Sequence, residues 1–355
     1  MIVANEPIQR RHDAKLLVID GARSIAHVAR SDFATLVRRF DVVVANDAAT
    51  LPASLAGVHD RTSAPIEIRL AARSSLDIAP PIEFVAVVFG RGDFHMRTED
   101  RPSPPLLRDG DRLTLGPLRA RIERTLEHPR LTVVRFDADA PTFWRAIAQH
   151  GRPIQYAHVE MPLALWDVWT PVAATPLAFE PPSAGFIVDW QTIAAIRARG
   201  AAFTTLTHAA GISSTGDAVL DARLPFDEPY RIAAATVASI ARARKRGGRV
   251  IAIGTTVVRA LEHCASADGV VHGGHGVATQ RIGAHTRLRV VDAIVSGTHE
   301  PGTSHYDLLR AFVDDATLRS ASAALDAHGY RTHEFGDSVF IERSVAHAQR
   351  VKRAA

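Results

Sequence analysis

Cysteine is almost missing: Cys264 is the single one in 355 residues. One thiol cannot build an intramolecular disulfide framework, so a cytoplasmic location is the expectation. Cys264 follows a helical stretch at Val257–His263 and reads as a packing or half-exposed thiol. Lysine is nearly as scarce, present only at Lys15, Lys245 and Lys352, so almost all of the positive charge is arginine. Arginine forks suit phosphate and carboxylate groups, although a GC-rich genome produces the same bias. No apolar run approaches the roughly 18 residues of a membrane span. The opening MIVANEPIQRRHDAKLL lacks the apolar core of a signal peptide, and no membrane partner is expected. Several chemical signatures are also absent. There is no GxxxxGK[ST], GxGxxG or GxSxG, so phosphate-loop, dinucleotide-fold and serine-elbow readings lack support. The 17 histidines show no HExxH or CxxC pairing. His272 and His275, in HGGH, have no carboxylate beside them, and no metal is expected.

What is present is the composition of a soluble globular protein, 46% hydrophobic and 23% charged with a net charge of +4. The length suits one large domain or two smaller ones. Lys15 to Asp20 and Asp41 to Asn46 are short apolar runs suited to strands, with a helical stretch from Phe33 to Phe40 between them. After Pro65 the texture changes. Ile66 to Leu70, Phe84 to Phe89, Arg112 to Leu118 and Leu131 to Phe136 alternate, punctuated by Gly90, Gly92, Gly110 and Gly116, which suggests a small all-β barrel or sandwich. Beyond Pro153 helices and strands mix again. Helices are expected at Asp189–Arg199, Pro229–Lys245, Ser304–Asp314 and Thr317–Ala327. Strands are expected at Phe203–Leu206, Val250–Ile253, Arg287–Ile294 and Ser338–Ile341. The expected fold is a large mixed α/β domain, residues 1–65 and 149–355, with a small β-barrel-like domain, residues 66–148, inserted into it. Proline-rich pieces at Ala79–Pro81, Pro102–Pro105 and Pro181–Pro182 read as connectors.

Four segments collect polar groups. In GGRVIAIGTTVVRALE, Gly247 to Glu262, an apolar run stops at Gly254 and a helical pattern starts behind Thr255 and Thr256. A strand feeding a helix through such a turn places N–H groups and hydroxyls at a sheet edge, where anionic or polar ligand groups bind. The same segment also reads as an ordinary strand–turn–helix. In VDAIVSGTHEPGTS, from Val291, a strand ends in a polar turn holding His299 and Pro301. His299 is a candidate base, acid or hydrogen-bond donor, or simply an exposed loop histidine. EPPSAG, Glu180 to Gly185, stiffens an approach with two prolines and leaves Ser183 and Gly185 open to close backbone contact. Asp337, in a Gly–Asp turn before a final strand, suits a turn or a ligand. The basic run RARKRGGR, Arg242 to Arg249, reads as a phosphate patch or as a solvated helix end.

Taken in order, Arg11, Asp13, Ala14 and Leu17, then GTTVVRALE, then VDAIVSGTHEPGTS, then YR…FGDSVFI resemble the S-adenosylmethionine:tRNA ribosyltransferase-isomerase family of queuosine biosynthesis. The resemblance spans almost the whole chain, and GTT-x-VR-x-LE is its most specific block. It implies transfer of the ribosyl group of S-adenosylmethionine, as co-substrate, to 7-aminomethyl-7-deazaguanine in tRNA. Isomerisation to an epoxycyclopentane follows, with release of adenine and methionine. By resemblance Gly254, Thr255, Thr256, Arg259 and Glu262 map onto the GTT-x-VR-x-LE block. Ser183 and Gly185 map onto P-T-A-G, His299 and Pro301 onto F-H-L-P, and Asp337 onto the terminal F-G-D. The implied substrate- and cofactor-binding residues are Ser183, Gly185, Gly254, Thr255, Thr256, Arg259, Glu262 and Pro301, with His299 and Asp337 as the candidate catalytic pair. Partners implied are tRNA and a small nucleoside.

The chain departs from the pattern at several points. The histidine of L-H-F after P-T-A-G is Ile187. The histidine of L-H-V-G is displaced by one residue to His208. The segment H-x-M-H-x-E is Arg223 to Glu228, keeping only its acidic end. Gly297 stands for the asparagine of T-N-F-H-L-P, and Thr332 and His333 stand for the aromatic pair of Y-R-F-F. These departures leave open a diverged paralogue with a non-tRNA acceptor and a non-catalytic nucleoside- or RNA-binding protein.

Overall fold

The structure, a computed structural model, describes residues 2–11, 13–77 and 80–344. Ala79 of the expected connector and Lys352 lie outside them. The chain begins with β1 (Ile2–Val3), β2 (Lys15–Ile19) and β3 (Ile25–Ala29), then β4 (Val42–Asn46) and β5 (Ala48–Thr50). Six strands follow: β6 (Ser54–His59), β7 (Ala64–Ala72), β8 (Ile82–Phe89), β9 (Arg112–Leu115), β10 (Leu118–Thr125) and β11 (Leu131–Phe136). They close into an antiparallel barrel in the order β10-β11-β8-β7-β6-β9. Its first strand starts at Ser54, ahead of the expected inserted segment, residues 66–148. Inward residues such as Leu55, Ile68, Phe84, Leu113 and Ile122 fill it, and Phe143 of α1 (Ala140–His150) packs on them. The short α2 (Leu165–Val168) and β12 (Thr175–Ala178), paired with β5, lead back to the main body.

The rest of the chain alternates. It runs α3 (Trp190–Ala198), β13 (Ala202–His208), α4 (Ala218–Asp221), β14 (Glu228–Ile232), α5 (Ala234–Lys245) and β15 (Val250–Ile253). Then come α6 (Thr255–Cys264), β16 (Gly274–Ala278), β17 (Ala293–Gly297), α7 (Ser304–Leu309), α8 (Asp315–Ala327), β18 (Arg331–Thr332) and β19 (Ser338–Glu342). Among the described residues nine strands form one sheet, β16-β14-β13-β4-β15-β17-β19-β2-β3. The central four, β13, β4, β15 and β17, are parallel. Helices cover both faces of these strands, which explains their unbroken apolar sequences VVVA and VIAI. Successive residues point to opposite faces. Val42 and Val44 pack with Ile240 of α5, Leu261 of α6 and Leu325 of α8, whereas Val43 and Ala45 pack with Phe33, Ile193 and Ile196. The expected fold class, a mixed α/β body with a small barrel, is the one observed.

Three expected elements differ. The helical stretch expected over Phe33–Phe40 is a 3-10 helix over Arg30–Leu36, ended by the extended backbone of Val37. Pro229–Ile232 is not the start of a helix but strand β14, hydrogen-bonded between β13 and β16; the helix begins at Ala234. Arg287–Asp292 is not strand. The Glu262 carboxylate accepts from the N–H groups of Arg289 (2.7 Å), Val290 (3.0 Å) and Val291 (2.8 Å), which takes them out of any ladder, and β17 starts only at Ala293.

Candidate active site

The parallel strands deliver their C-terminal ends to one edge of the sheet. There β15 stops at Gly254, whose φ of 95° suits a residue without a Cβ, and α6 starts. Asp139, Asp189, Thr303 and Asp314 cap α1, α3, α7 and α8 with their side chains, but no side chain caps α6. The uncapped start of α6 borders a cleft of about 610 Å³. Thr255, Thr256, Ser183 and His299 line that cleft together with Gly254. Thr255 Oγ1 lies 3.3 Å from Nδ1 of His305, which α7 brings in, and the His305 and His299 rings are 4.6 Å apart. Both imidazoles are half-buried. Burial, then the charge of Arg259, pushes His305 down to about 4. Burial, then its histidine neighbours His305 and His333, pushes His299 well below the usual range. Two neutral imidazoles thus stand beside two threonine hydroxyls at an open helix N-terminus.

Arg259 reaches the cleft wall but keeps its charge for the protein. It is 4% exposed. Its guanidinium pairs with Glu228 and donates to the carbonyls of Ala278 (2.8 Å) and Phe226 (3.2 Å). Glu228 also accepts from Gly211 N–H at 2.6 Å. His208 Nε2 lies 3.5 Å from the same carboxylate. The displaced histidine is therefore buried behind the wall, and burial followed by Arg259 holds it neutral.

The remaining sequence candidates sit elsewhere. Gly185 lies in the turn Ser183–Ile187 against Thr170, with no room for a Cβ: one built there would meet Thr170 Cγ2 at 2.9 Å. Glu262 holds the 289–291 loop. Pro301 is exposed and does not line the cleft. Asp337 is 1% exposed and binds Arg11 Nη2 (2.8 Å), Lys15 N–H (3.0 Å) and Arg331 N–H (2.8 Å), away from the cleft lining. The basic run lies at the opposite sheet edge, where Arg249 pairs with Asp41 (2.6 Å) and Glu342. Among the described residues no group of three His, Cys, Asp or Glu side chains is placed to hold a metal, and no helix is long and apolar enough to cross a membrane.

Sequence reasoning missed His305, Glu228 and Glu180. Glu180 was in view as the first residue of EPPSAG, but only its burial marks it. It is 5% exposed, and burial, then the charge of Glu334, raises it to about 8, against the hydrogen bonds from Ser213. Between its unfolded value, near 4.5, and about 8, the folded state holds a proton that the unfolded chain has released. Stability therefore falls as pH rises through that window. Glu180→Gln removes this term, so its melting temperature relative to the parent should rise from pH 5 to pH 8. A pH-independent difference in thermal unfolding would show that the carboxyl is not raised.

A sequence model of the family described as queuosine biosynthesis protein matches residues 1–341. A Sorangium cellulosum protein named S-adenosylmethionine:tRNA ribosyltransferase-isomerase is 32% identical over 365 residues, covering 96% of this chain and 95% of that one. A Methylobacterium protein of the same name is 28% identical, covering 97% and 96%. The crystal structure of S-adenosylmethionine tRNA ribosyltransferase from Thermotoga maritima superposes with a TM-score of 0.50 at 22% identity, covering 96% of both chains, and shares the fold. With a match across nearly its full length, and with the strand–turn–helix edge and the barrel both in place, the chain belongs to the queuosine biosynthesis protein family.

Proposed function

We propose that this chain is an S-adenosylmethionine:tRNA ribosyltransferase-isomerase. It transfers the ribosyl group of S-adenosylmethionine to 7-aminomethyl-7-deazaguanine in tRNA and isomerises it, with loss of adenine and methionine. The observation that carries this reading is the sheet-edge cleft, with its uncapped α6 N-terminus, threonine hydroxyls and paired neutral histidines, in a chain of this family. Free N–H groups at a helix N-terminus suit a carboxylate such as that of the methionine moiety. Thr255, Thr256 and Ser183 offer hydroxyls to the ribose and the amino acid. A sulfonium is cationic, so neutral imidazoles, and an Arg259 already paired with Glu228, leave no unpaired positive charge from these groups beside it. His299, held neutral, is suited to take a proton from the attacking amine and return one to departing adenine. Arg259 then shapes the wall rather than gripping ligand, and Asp337 anchors the turn before β19 rather than reacting.

The relatives give no support to a non-tRNA acceptor or to a non-catalytic binding role. A cytoplasmic location fits a tRNA substrate. The direct test is incubation with S-adenosylmethionine and tRNA carrying the 7-aminomethyl-7-deazaguanine precursor. Adenine release and an epoxycyclopentane-modified nucleoside are expected in equal amounts. Neither product appearing would remove this function.

A further inference from the structure

A second cavity of about 480 Å³ adjoins the cleft, and Glu180 and Ser213 line both. Its walls come from separate parts of the chain: Arg69 and Thr98 of the barrel region, Tyr156 and His158 of the segment that follows it, and His333 and Glu334 just before β19. Glu180 is 5% exposed, yet it spends only one oxygen on the protein. Its Oε2 accepts from Ser213 N–H (3.0 Å) and Ser213 Oγ (2.6 Å). Its Oε1 receives no hydrogen bond among the described residues. Glu334 Oε2, Tyr156 Oη and His158 Nε2 are likewise buried with no partner. Buried polar atoms normally find partners, and several unmet in one cavity call for an occupant.

The chemistry of these atoms defines that occupant. Two carboxyl groups need N–H donors. The wall's own cations do not serve, because Arg69 is bound to Glu67 (2.7 Å) and Thr98 (3.3 Å) and Arg97 is paired with Glu99. The phenol of Tyr156 has a proton to give to a carbonyl. The cavity is also lined by a row of stacked rings: Tyr156 on His158 at 5.6 Å and 28°, and His158 on His333 at 4.9 Å and 29°. Such a row favours a flat partner.

We propose that the second cavity seats the acceptor: a flat nitrogen heterocycle whose N–H and amine groups donate to Glu180 Oε1 and Glu334 Oε2. This rests on the function proposed above and adds where the 7-deazaguanine base sits. S-adenosylmethionine is held next door, and Glu180 stands at the boundary between the two. His333, which stands for an aromatic residue of the family pattern, contributes to the ring row. The ammonium of S-adenosylmethionine has the same N–H chemistry but no flat ring at that end, and the test separates the two sources.

The experiment is calorimetric titration of the full chain with free 7-aminomethyl-7-deazaguanine and, separately, with S-adenosylmethionine. Parent, Glu180→Gln, Glu334→Gln and Tyr156→Phe proteins are compared, so that one poorly folding variant does not decide the result. Titrated at pH 9, above the value of about 8 to which Glu180 is raised, so that its carboxyl is ionised, each glutamine variant should bind the base about tenfold or more weakly, the loss expected for a charged hydrogen bond, and bind S-adenosylmethionine within about twofold of the parent. Three results would overturn the proposal: no binding of the base to the parent, unchanged base affinity in the variants, or weakening confined to S-adenosylmethionine. Adenine release from precursor tRNA is read independently. Base binding that depends on Glu180, in a protein that releases no adenine, keeps the cavity and removes the reaction; adenine release with base binding indifferent to all three substitutions does the reverse.

Discussion

Arg259→Ala is expected to lower the unfolding free energy by about 3–5 kcal/mol, the range for stripping one partner from a buried ion pair. The side chains of Arg259 and Glu228 are 5% and 7% exposed, so water cannot replace the lost guanidinium cheaply. The carbonyls of Ala278 and Phe226 would lose their donor at the same time. Adding Glu228→Gln removes the stranded charge and keeps an acceptor for Gly211 N–H, so the double variant should be more stable than Arg259→Ala alone. Chemical denaturation of the two single variants and the double gives the coupling energy. A loss below about 1 kcal/mol, as for an exposed pair, would mean that the pair is solvated and that Arg259 is free to meet a ligand. The His208 ring 3.5 Å from Glu228 adds a signature. Arg259 helps to keep that imidazole neutral, so in Arg259→Ala it should protonate more readily and offset part of the loss at acid pH.

His299→Ala should reduce kcat by about 10²–10⁴-fold, the usual contribution of a positioned acid–base group. The fold should survive, since His299 sits on the cleft wall and anchors no strand. Adenine release under saturating S-adenosylmethionine measures it. In the parent protein these histidines should put no inflection in the rate between pH 8 and pH 6.5, because His299 and His305 are held below the usual histidine value and stay in the neutral form that accepts protons. His305→Ala should act differently. It removes the contact to Thr255 and should raise KM for S-adenosylmethionine more than it lowers kcat. Turnover of His299→Ala within about threefold of the parent would take proton transfer away from this residue, since a lost acid–base group costs far more.

The parts of the fold legible in the sequence are those fixed by local pattern. Val250–Ile253 followed by Gly254 and an amphipathic run is a strand, a turn and a helix before any neighbour is known. The alternating segments between β6 and β11 likewise declare a β structure. Long-range partners decided the rest. Pro229–Ile232 merges with the periodicity of α5, and only pairing to β13 and β16 makes it strand. Arg289–Val291 is apolar enough for a strand, but a carboxylate 27 residues upstream of Arg289 takes its N–H groups. Arg259 illustrates the same limit at the site. An arginine behind two threonines suggests a ligand clamp, yet the antiparallel β14 brings Glu228, from 31 residues upstream, against it. Asp337 follows the same logic, claimed by Arg11 from across the chain.

The place of β19 in the sheet has a consequence for synthesis. Strands β2 and β3 are made before the barrel, but among the described residues their ladder reaches the other six strands of the sheet through β19, which pairs parallel with β2 and antiparallel with β17. The barrel's strands are contiguous in sequence, so it can close on the ribosome soon after Phe136 emerges, as a unit that folds early. The hairpin of β2 and β3 must wait some two hundred residues longer with one edge open. A nascent chain that stalls before Ser338 would carry a closed barrel and an unfinished sheet, with its unpaired edge available to chaperones or to other chains.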